Sequence, residues 1–283
     1  MTSEDYQCII VDRPVERVQR ITLNRPEKRN ALSDRLRIEL FDALYKGDND
    51  DSIHATIITG NRECFSAGYD LSEPKEKNEN FPYFTAEGLG VWPRHVSEGC
   101  FRIWDLRKPV IGQVWGYALA GGFELCQSCD LVFVADDAKI GYPPVRSLSP
   151  PDNQAMTWIM GFRNAMYLML TGDSINGVEA AQQGFANKSF PADVLEEEVL
   201  KIAERIARIP TDVQQICKRS VHRQMDIMGI RAGVRAGTEM QVLATFTETT
   251  QNFFKKLVAD GVSSAVNDRD SKFGDYSAGK DGS

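Results

Sequence analysis

Two short segments of this chain hold small residues in a pattern that lets backbone N–H groups reach a ligand. Cys64-Phe65-Ser66-Ala67-Gly68-Tyr69-Asp70-Leu71 follows a β-branched run at Ala55–Thr59. Gly116-Tyr117-Ala118-Leu119-Ala120-Gly121-Gly122-Phe123-Glu124 follows a second run at Pro109–Trp115. A helix starting at Gly121 or Gly122 would add the positive end of its dipole. Taken singly, each segment is also what a plain tight turn looks like. Taken together, the two turns can aim one N–H each at a single oxygen, which is an oxyanion hole. Glu124 lies three residues past Gly121, close enough to face the same point; the alternative is a solvated helix carboxylate.

Other reactive types are sparser. Cys126 and Cys129 form a single C-x-x-C without a second pair or a nearby histidine, so two small helix residues are expected rather than a metal site. The stretch Glu73 to Val96 has no clear period and carries Phe81, Tyr83, Phe84 and Trp92, which either touch a substrate or cap the core.

The elements that must hold these residues read as an α/β core. Cys8–Val11 and Val18–Leu23 are expected as strands around a turn at Asp12–Glu16, where Pro14 sits. Ser33 is placed to cap a helix reaching about Tyr45, with Leu36, Leu40, Ala43 and Leu44 on one face. Ala55–Thr59, Pro109–Trp115 and Leu131–Ala135 read as buried parallel strands. From about Gly161 the pattern turns helical, with one amphipathic face over Val194–Ile209 and further helices over Thr211–Met228 and Ala236–Val258. Asn267–Ser283 is polar and expected to be an extended tail.

The 283 residues carry 40 acidic against 33 basic side chains, a net charge of −7. Such a balance argues against nucleic acid as a partner, since no basic excess exists to neutralise phosphates. No apolar run approaches the roughly 18 residues of a membrane span, and neither end carries a recognisable address, so a cytoplasmic protein is expected. Six scattered cysteines do not make a disulfide framework.

In order and spacing, several segments resemble the crotonase (enoyl-CoA hydratase/isomerase) superfamily. They are Leu23-Asn24-Arg25-Pro26-Glu27-Lys28-Arg29-Asn30-Ala31-Leu32, Phe65–Leu71, Gly116–Leu125, Cys129–Ala135, Leu170–Asp173 and Ala180–Gly184. The resemblance covers most of the chain from about residue 7. It implies an α/β fold, the crotonase (ClpP-like) spiral of ββα units with a C-terminal helical trimerisation region. On that basis residues 1–205 form the spiral core, 206–266 the helical oligomerisation region and 267–283 a polar tail. It further implies a homotrimer or homohexamer acting on an acyl-CoA thioester, with no cofactor beyond the coenzyme A of the substrate and no metal.

Carried over residue by residue, the resemblance puts Ala67 and Gly121 at the oxyanion hole and Glu124 at one of two catalytic glutamates. Gly68, Tyr69, Asp70, Leu71 and Gly122 would line the same pocket. Arg25, Lys28, Arg29 and Ala31 match the loop that holds coenzyme A, and Lys255, with Lys256, could reach the 3′-phosphate of a neighbouring subunit's coenzyme A; a solvated lysine pair is the alternative. The second hydratase glutamate falls at Pro144, which cannot transfer a proton. Asp152, eight residues on, is a possible substitute or else a helix N-cap. Arg146 could meet a substrate anion or form an internal salt bridge, and Tyr69 and Tyr142 could donate hydrogen bonds or only pack. The expected activity is a lyase of the enoyl-CoA hydratase type with Glu124 as acid/base. An isomerase, a C–C bond hydrolase or decarboxylase, and a non-catalytic acyl-CoA-binding protein are the alternatives.

Overall fold

Residues 6–72 and 95–275 are described in a computed structural model. The aromatics Phe81, Tyr83, Phe84 and Trp92 lie outside the described residues, as does the chain beyond Asp275.

β1 (Ile9–Val15) and β2 (Val18–Leu23) form an antiparallel hairpin. β1 continues through the stretch expected as a turn. It is the edge of its sheet, where the N–H that Pro14 lacks breaks no ladder, and the reversal falls instead at Arg17, with φ 63°. Ser33 caps α1 (Asp34–Asn49), its side chain accepting the Leu36 N–H at 3.2 Å.

Three similar units follow. Each is a strand in a large sheet, a short strand in a small sheet, then a helix. The first is β3 (Ala55–Thr59), β4 (Cys64–Ser66) and α2 (His95–Asp105); the second is β5 (Val110–Val114), β6 (Tyr117–Leu119) and α3 (Gly121–Ser128); the third is β7 (Leu131–Ala135), β8 (Lys139–Gly141) and α4 (Met156–Thr171). β9 (Ser174–Asn176), α5 (Gly177–Gln182), β10 (Lys188–Phe190) and α6 (Leu195–Ala207) complete the core. The large sheet runs β1-β2-β3-β5-β7-β10 and is parallel after β2; the small sheet runs β4-β6-β8-β9 and is parallel up to β8. β3 and β5 are buried at every residue, as parallel strands covered on both faces must be.

Pairing of β4 with β6 sets the two glycine-bearing turns side by side. A Cβ on Gly122 would stand 2.4 Å from the Ser66 carbonyl oxygen, so only glycine allows α3 to start against β4. Ala120, just before that helix, takes φ 51°, a conformation a non-glycine residue adopts at a cost.

The C-terminal helices are α7 (Thr211–Ile227), α8 (Ile230–Ala244), α9 (Glu248–Asp260) and α10 (Val262–Asp270). The single helix expected over Ala236–Val258 is in fact two, because the Thr247 side chain accepts the Thr250 N–H and caps α9. α4 begins at Met156, before the expected Gly161, and breaks at that glycine (φ 79°). Asn267–Asp270 is not an extended tail. It ends α10 and passes into a 3₁₀ turn at Ser271–Phe273, because the buried pair Arg269 and Asp270 anchors it. Among the described residues no helix is long and apolar enough to cross a membrane.

The Gly122→Ala variant is expected to lose about 1–3 kcal/mol of stability through overpacking. Urea denaturation checks this; an unchanged midpoint would mean that the two turns separate freely.

Candidate active site

All eight residues of α3 are buried, and Glu124 sits in its first turn with only 1% of its surface exposed. The expected alternative, a solvated carboxylate, does not describe it. Its Oε1 accepts the Asn153 backbone N–H at 2.9 Å, while Oε2 has no hydrogen-bond partner. Burial, reinforced by the negative charge of Asp152, raises the Glu124 carboxyl from its ordinary range to about 8. The Asn153 N–H, the Tyr69 hydroxyl and the Asp152 N–H oppose that rise. Around the carboxyl stand Tyr69, Tyr142 and Cys100. Burial raises the pKa of each, and the charge of Glu124 adds to the effect; the Cys100 thiol reaches about 12. Both phenols and the thiol therefore keep their protons at neutral pH.

The turn after β4 is tied to the loop ahead of α1. Asn30, fully buried, gives Nδ2 to the Cys64 carbonyl at 2.9 Å and takes the Arg25 N–H on Oδ1 at 2.9 Å, and its own carbonyl accepts the Ser66 hydroxyl at 2.8 Å. The Ala67 N–H is spent in the same clamp, donating to the Arg29 carbonyl at 3.0 Å. Ala67 is thus not the free donor expected. The Gly68 N–H turns to Ser66 Oγ at 3.2 Å. Among the described residues no group accepts from the Tyr69 N–H, nor from the Gly121 N–H at the first position of α3. These two amides lie close, since a Cβ on Gly68 would come within 3.2 Å of the Gly121 nitrogen and one on Gly121 within 2.8 Å of the Tyr69 ring.

The remaining candidates divide clearly. Asp152 is half-buried and acts on Glu124 through its charge; it does not cap α4, whose N-cap is Ala155. Pro144 is buried in a 3₁₀ turn, Pro143–Arg146, that follows Tyr142. Arg146 borders an open cavity with Ser147, Leu148 and Thr250, yet its guanidinium is taken up by Asp173, Asp270 and Asp275, the internal salt bridge of its two alternatives. Arg25 likewise turns inward, to Asp70 Oδ2 at 3.0 Å and the Ala31 carbonyl at 2.7 Å. Lys28 and Arg29 are exposed on the same loop, with Lys28 Nζ 3.3 Å from Ser72 Oγ, and Leu71 is exposed beside them. Lys255 is exposed on α9, and Lys256 pairs with Asp268 at 3.0 Å. Cys126 and Cys129 are buried, and burial pushes both thiols up. Among the described residues no group of three His, Cys, Asp or Glu side chains could hold a metal.

Sequence reasoning missed Asn153 and Cys100. Asn153 is the more consequential. Besides its N–H on Glu124, its Nδ2 reaches the Glu124 carbonyl at 3.3 Å, and its own carbonyl accepts Gln127 Nε2 at 3.1 Å. An asparagine 29 residues away carries no local signal that it will hold a helix.

Residues 14–275 match the sequence model of a family described as enoyl-CoA hydratase/isomerase. The chain belongs to the enoyl-CoA hydratase/isomerase family. A probable enoyl-CoA hydratase of Mycobacterium tuberculosis is 34% identical over 224 residues, covering 78% of this chain and 83% of its own. The 2,3-dehydroadipyl-CoA hydratase of Escherichia coli is 32% identical over 249 residues, covering 85% and 91%. A solved enoyl-CoA hydratase from Mycobacterium smegmatis has a TM-score of 0.86 at 27% identity, covering 98% of this chain and 97% of that one. The spiral core and C-terminal helices are thus the fold of this family of enzymes.

A raised carboxyl couples the pocket to stability. Folding favours protonated Glu124, so its contribution is complete below the unfolded value and is lost as pH rises from about 4.5 to about 8. Glu124→Gln does not titrate, and its thermal stability relative to the native chain should grow across that window. A constant difference between the two melting curves from pH 4 to 9 would show that Glu124 titrates normally.

Proposed function

We propose that this family member adds water across the double bond of an enoyl-CoA thioester. The observation that carries the reading is a buried Glu124, its carboxyl raised to about 8 by burial and one of its oxygens unpaired, next to two backbone amides with no acceptor among the described residues. The Tyr69 and Gly121 N–H groups would hold the thioester carbonyl and stabilise the enolate that forms beside it. Backbone donors suit this role because they are fixed in place and do not titrate.

With Pro144 in place of a second carboxylate, one carboxyl serves both ends of the addition. Glu124 delivers its proton to the α-carbon, water oxygen bonds to the β-carbon, and a proton from that water returns to Glu124. Substrate and water combine into the 3-hydroxyacyl thioester, and Glu124 finishes protonated. Oε1 is held by Asn153, which leaves Oε2 to exchange the proton. Burial, reinforced by the negative charge of Asp152, keeps Glu124 protonated near neutral pH. The addition is redox-neutral and requires no cofactor beyond the coenzyme A of the substrate, whose phosphates would meet Lys28 and Arg29.

Pro144 also favours a second reading, an enoyl-CoA isomerase, since moving a double bond needs only one group to carry a proton between two carbons. Mass spectrometry of enoyl-CoA esters incubated in heavy water separates the two. Gain of water supports hydration, deuterium uptake without it supports isomerisation, and neither across short, long and aromatic chains would overturn both. Glu124→Gln should lower turnover at least 100-fold, within the range of a lost general acid; unchanged turnover would remove Glu124 from the mechanism.

We also propose that the chain works as a homotrimer or homohexamer. Ile216, Ile227, Leu243 and Val258 are exposed on the C-terminal helices and Phe246 on the turn between α8 and α9, large apolar side chains of the kind an assembly covers. Light scattering should give three or six chains per particle; a monomer would overturn this.

A further inference from the structure

The Glu124 pocket depends on Asp152 and Asn153, and both lie on a segment that begins at Arg146. Its far end is fixed by Asn153 on α3. Its near end is fixed by a cluster that the activity does not explain. The Arg146 side chain is only 2% exposed and forms a two-pronged pair with Asp275, Nη1 to Oδ1 at 2.6 Å and Nη2 to Oδ2 at 2.8 Å. Nη1 also reaches Asp270 Oδ1 at 3.3 Å, Nη2 reaches Asp173 Oδ1 at 3.0 Å and Nε reaches the Thr171 carbonyl at 3.3 Å. The guanidinium lies 4.1 Å from the centre of the Phe273 ring. Asp270 is fully buried and gripped from its other side by Arg269, at 2.9 and 2.6 Å.

Such a cluster is expensive to bury and is poor evidence for stability alone. What distinguishes it is where it acts. Four of the residues holding Arg146 come from the last described turn of the chain or the strand-side loop at Asp173, and Arg146 itself closes the turn that carries Pro144. The Pro144 carbonyl accepts the N–H groups of Ser147 and Leu148 at 3.1 and 2.7 Å, and the Leu148 carbonyl accepts the Thr250 hydroxyl at 2.7 Å. The tie therefore passes from the C-terminal turn through Pro144 and Leu148 towards Asp152.

We propose that the C-terminal turn, through Asp270, Phe273 and Asp275 on Arg146, is a positioning device that sets Asp152 against Glu124. Arg146 and Phe273 are positioning residues, since neither touches the carboxyl. The inference rests on the reading of Glu124 as the proton carrier, but it is tested without turnover. The groups facing Glu124 are Asp152 from the tied segment, Tyr69 from the turn after β4, Tyr142 just ahead of the 3₁₀ turn and Cys100 from α2. Of these, Asp152 is the one whose negative charge raises the Glu124 carboxyl. If the segment drifts outward, its charge acts on Glu124 more weakly, and the Glu124 midpoint falls.

The experiment titrates Glu124 in the full-length protein by carboxyl carbon NMR, assigned with Glu124→Gln. Arg146→Lys and Phe273→Ala both preserve net charge, so a shift in either reports displacement and not a lost charge. Lysine keeps the positive charge but cannot form the two-pronged pair. Both variants should lower the midpoint by roughly half a pH unit or more, in the same direction as Asp152→Asn. Global loosening lowers the melting temperature without moving the midpoint of the folded state. A midpoint unmoved in both variants, or unmoved by Asp152→Asn, would overturn the proposal. Should Arg146→Lys not fold, Phe273→Ala decides alone, because that ring is half exposed. Absence of hydratase turnover together with the expected shifts would overturn the hydration reading and leave the positioning role standing.

Discussion

A carboxyl group with no water to solvate it is the constraint around which this molecule is arranged. Glu124 is placed in the first turn of a helix with every residue buried, so its charge cannot be relieved by solvent. Two responses are available to such a group: take an ion-pair partner, or keep its proton. The first is absent among the contacts described for it, and the neighbour that carries charge is another acid, Asp152. The carboxyl therefore holds its proton into the range where proton transfer is useful. The helix N-terminus works against this, since its dipole favours the charged form. Burial outweighs that effect because it is the largest influence on the group.

The geometry that surrounds the carboxyl follows from sheet topology. β4 and β6 are neighbours in the small sheet although more than fifty residues separate Cys64 from Tyr117 in the chain. Their pairing brings the Tyr69 amide and the Gly121 amide together, and the missing side chain of Gly122 allows the last close approach. The hydrogen bonds on one side of the turn are then decisive. Asn30 and Ser66 fix the start of the turn so that the Ala67 N–H meets the Arg29 carbonyl, while the Tyr69 N–H has no acceptor among the described residues. One clamp thus bears on which amide is available, and the turn ahead of α3 carries its own strain at Ala120.

Much of the core was legible in the sequence, because burial on both faces makes parallel strands such as Ala55–Thr59 read as unbroken apolar runs. Ser33 was legible as a cap for a local reason, since cap and capped N–H are three residues apart. The C-terminal region was less so. A threonine cap at Thr247 inside an apolar pattern looks like continuing helix, and a polar stretch such as Asn267–Asp275 looks solvated unless its partners are known. The site divides along the same line. Glu124 and Gly121 stood out through the family resemblance, since spacing alone also fitted a solvated carboxylate and a plain turn. The Ala67 assignment failed because spacing cannot say where an N–H points, and Asn153 was invisible because its hold on α3 is entirely non-local. Arg146 remained ambiguous until Asp173, Asp270 and Asp275 were placed around it.

The overall charge of −7 sits awkwardly with an anionic ligand such as coenzyme A. Range resolves the conflict. At physiological ionic strength exposed charges are screened beyond about 8 Å, so most of the acidic surface is not felt at the pocket mouth. What matters is which cations stand locally and which are already engaged. Arg25 is engaged, held by Asp70 and the Ala31 carbonyl, and its work is to fix the loop. Once fixed, that loop presents Lys28 and Arg29 outward, next to the turn that carries Tyr69. Two of the three basic residues in the segment stay exposed while the third turns inward to Asp70, and local cationic character arises from an acidic chain without any change in its total charge.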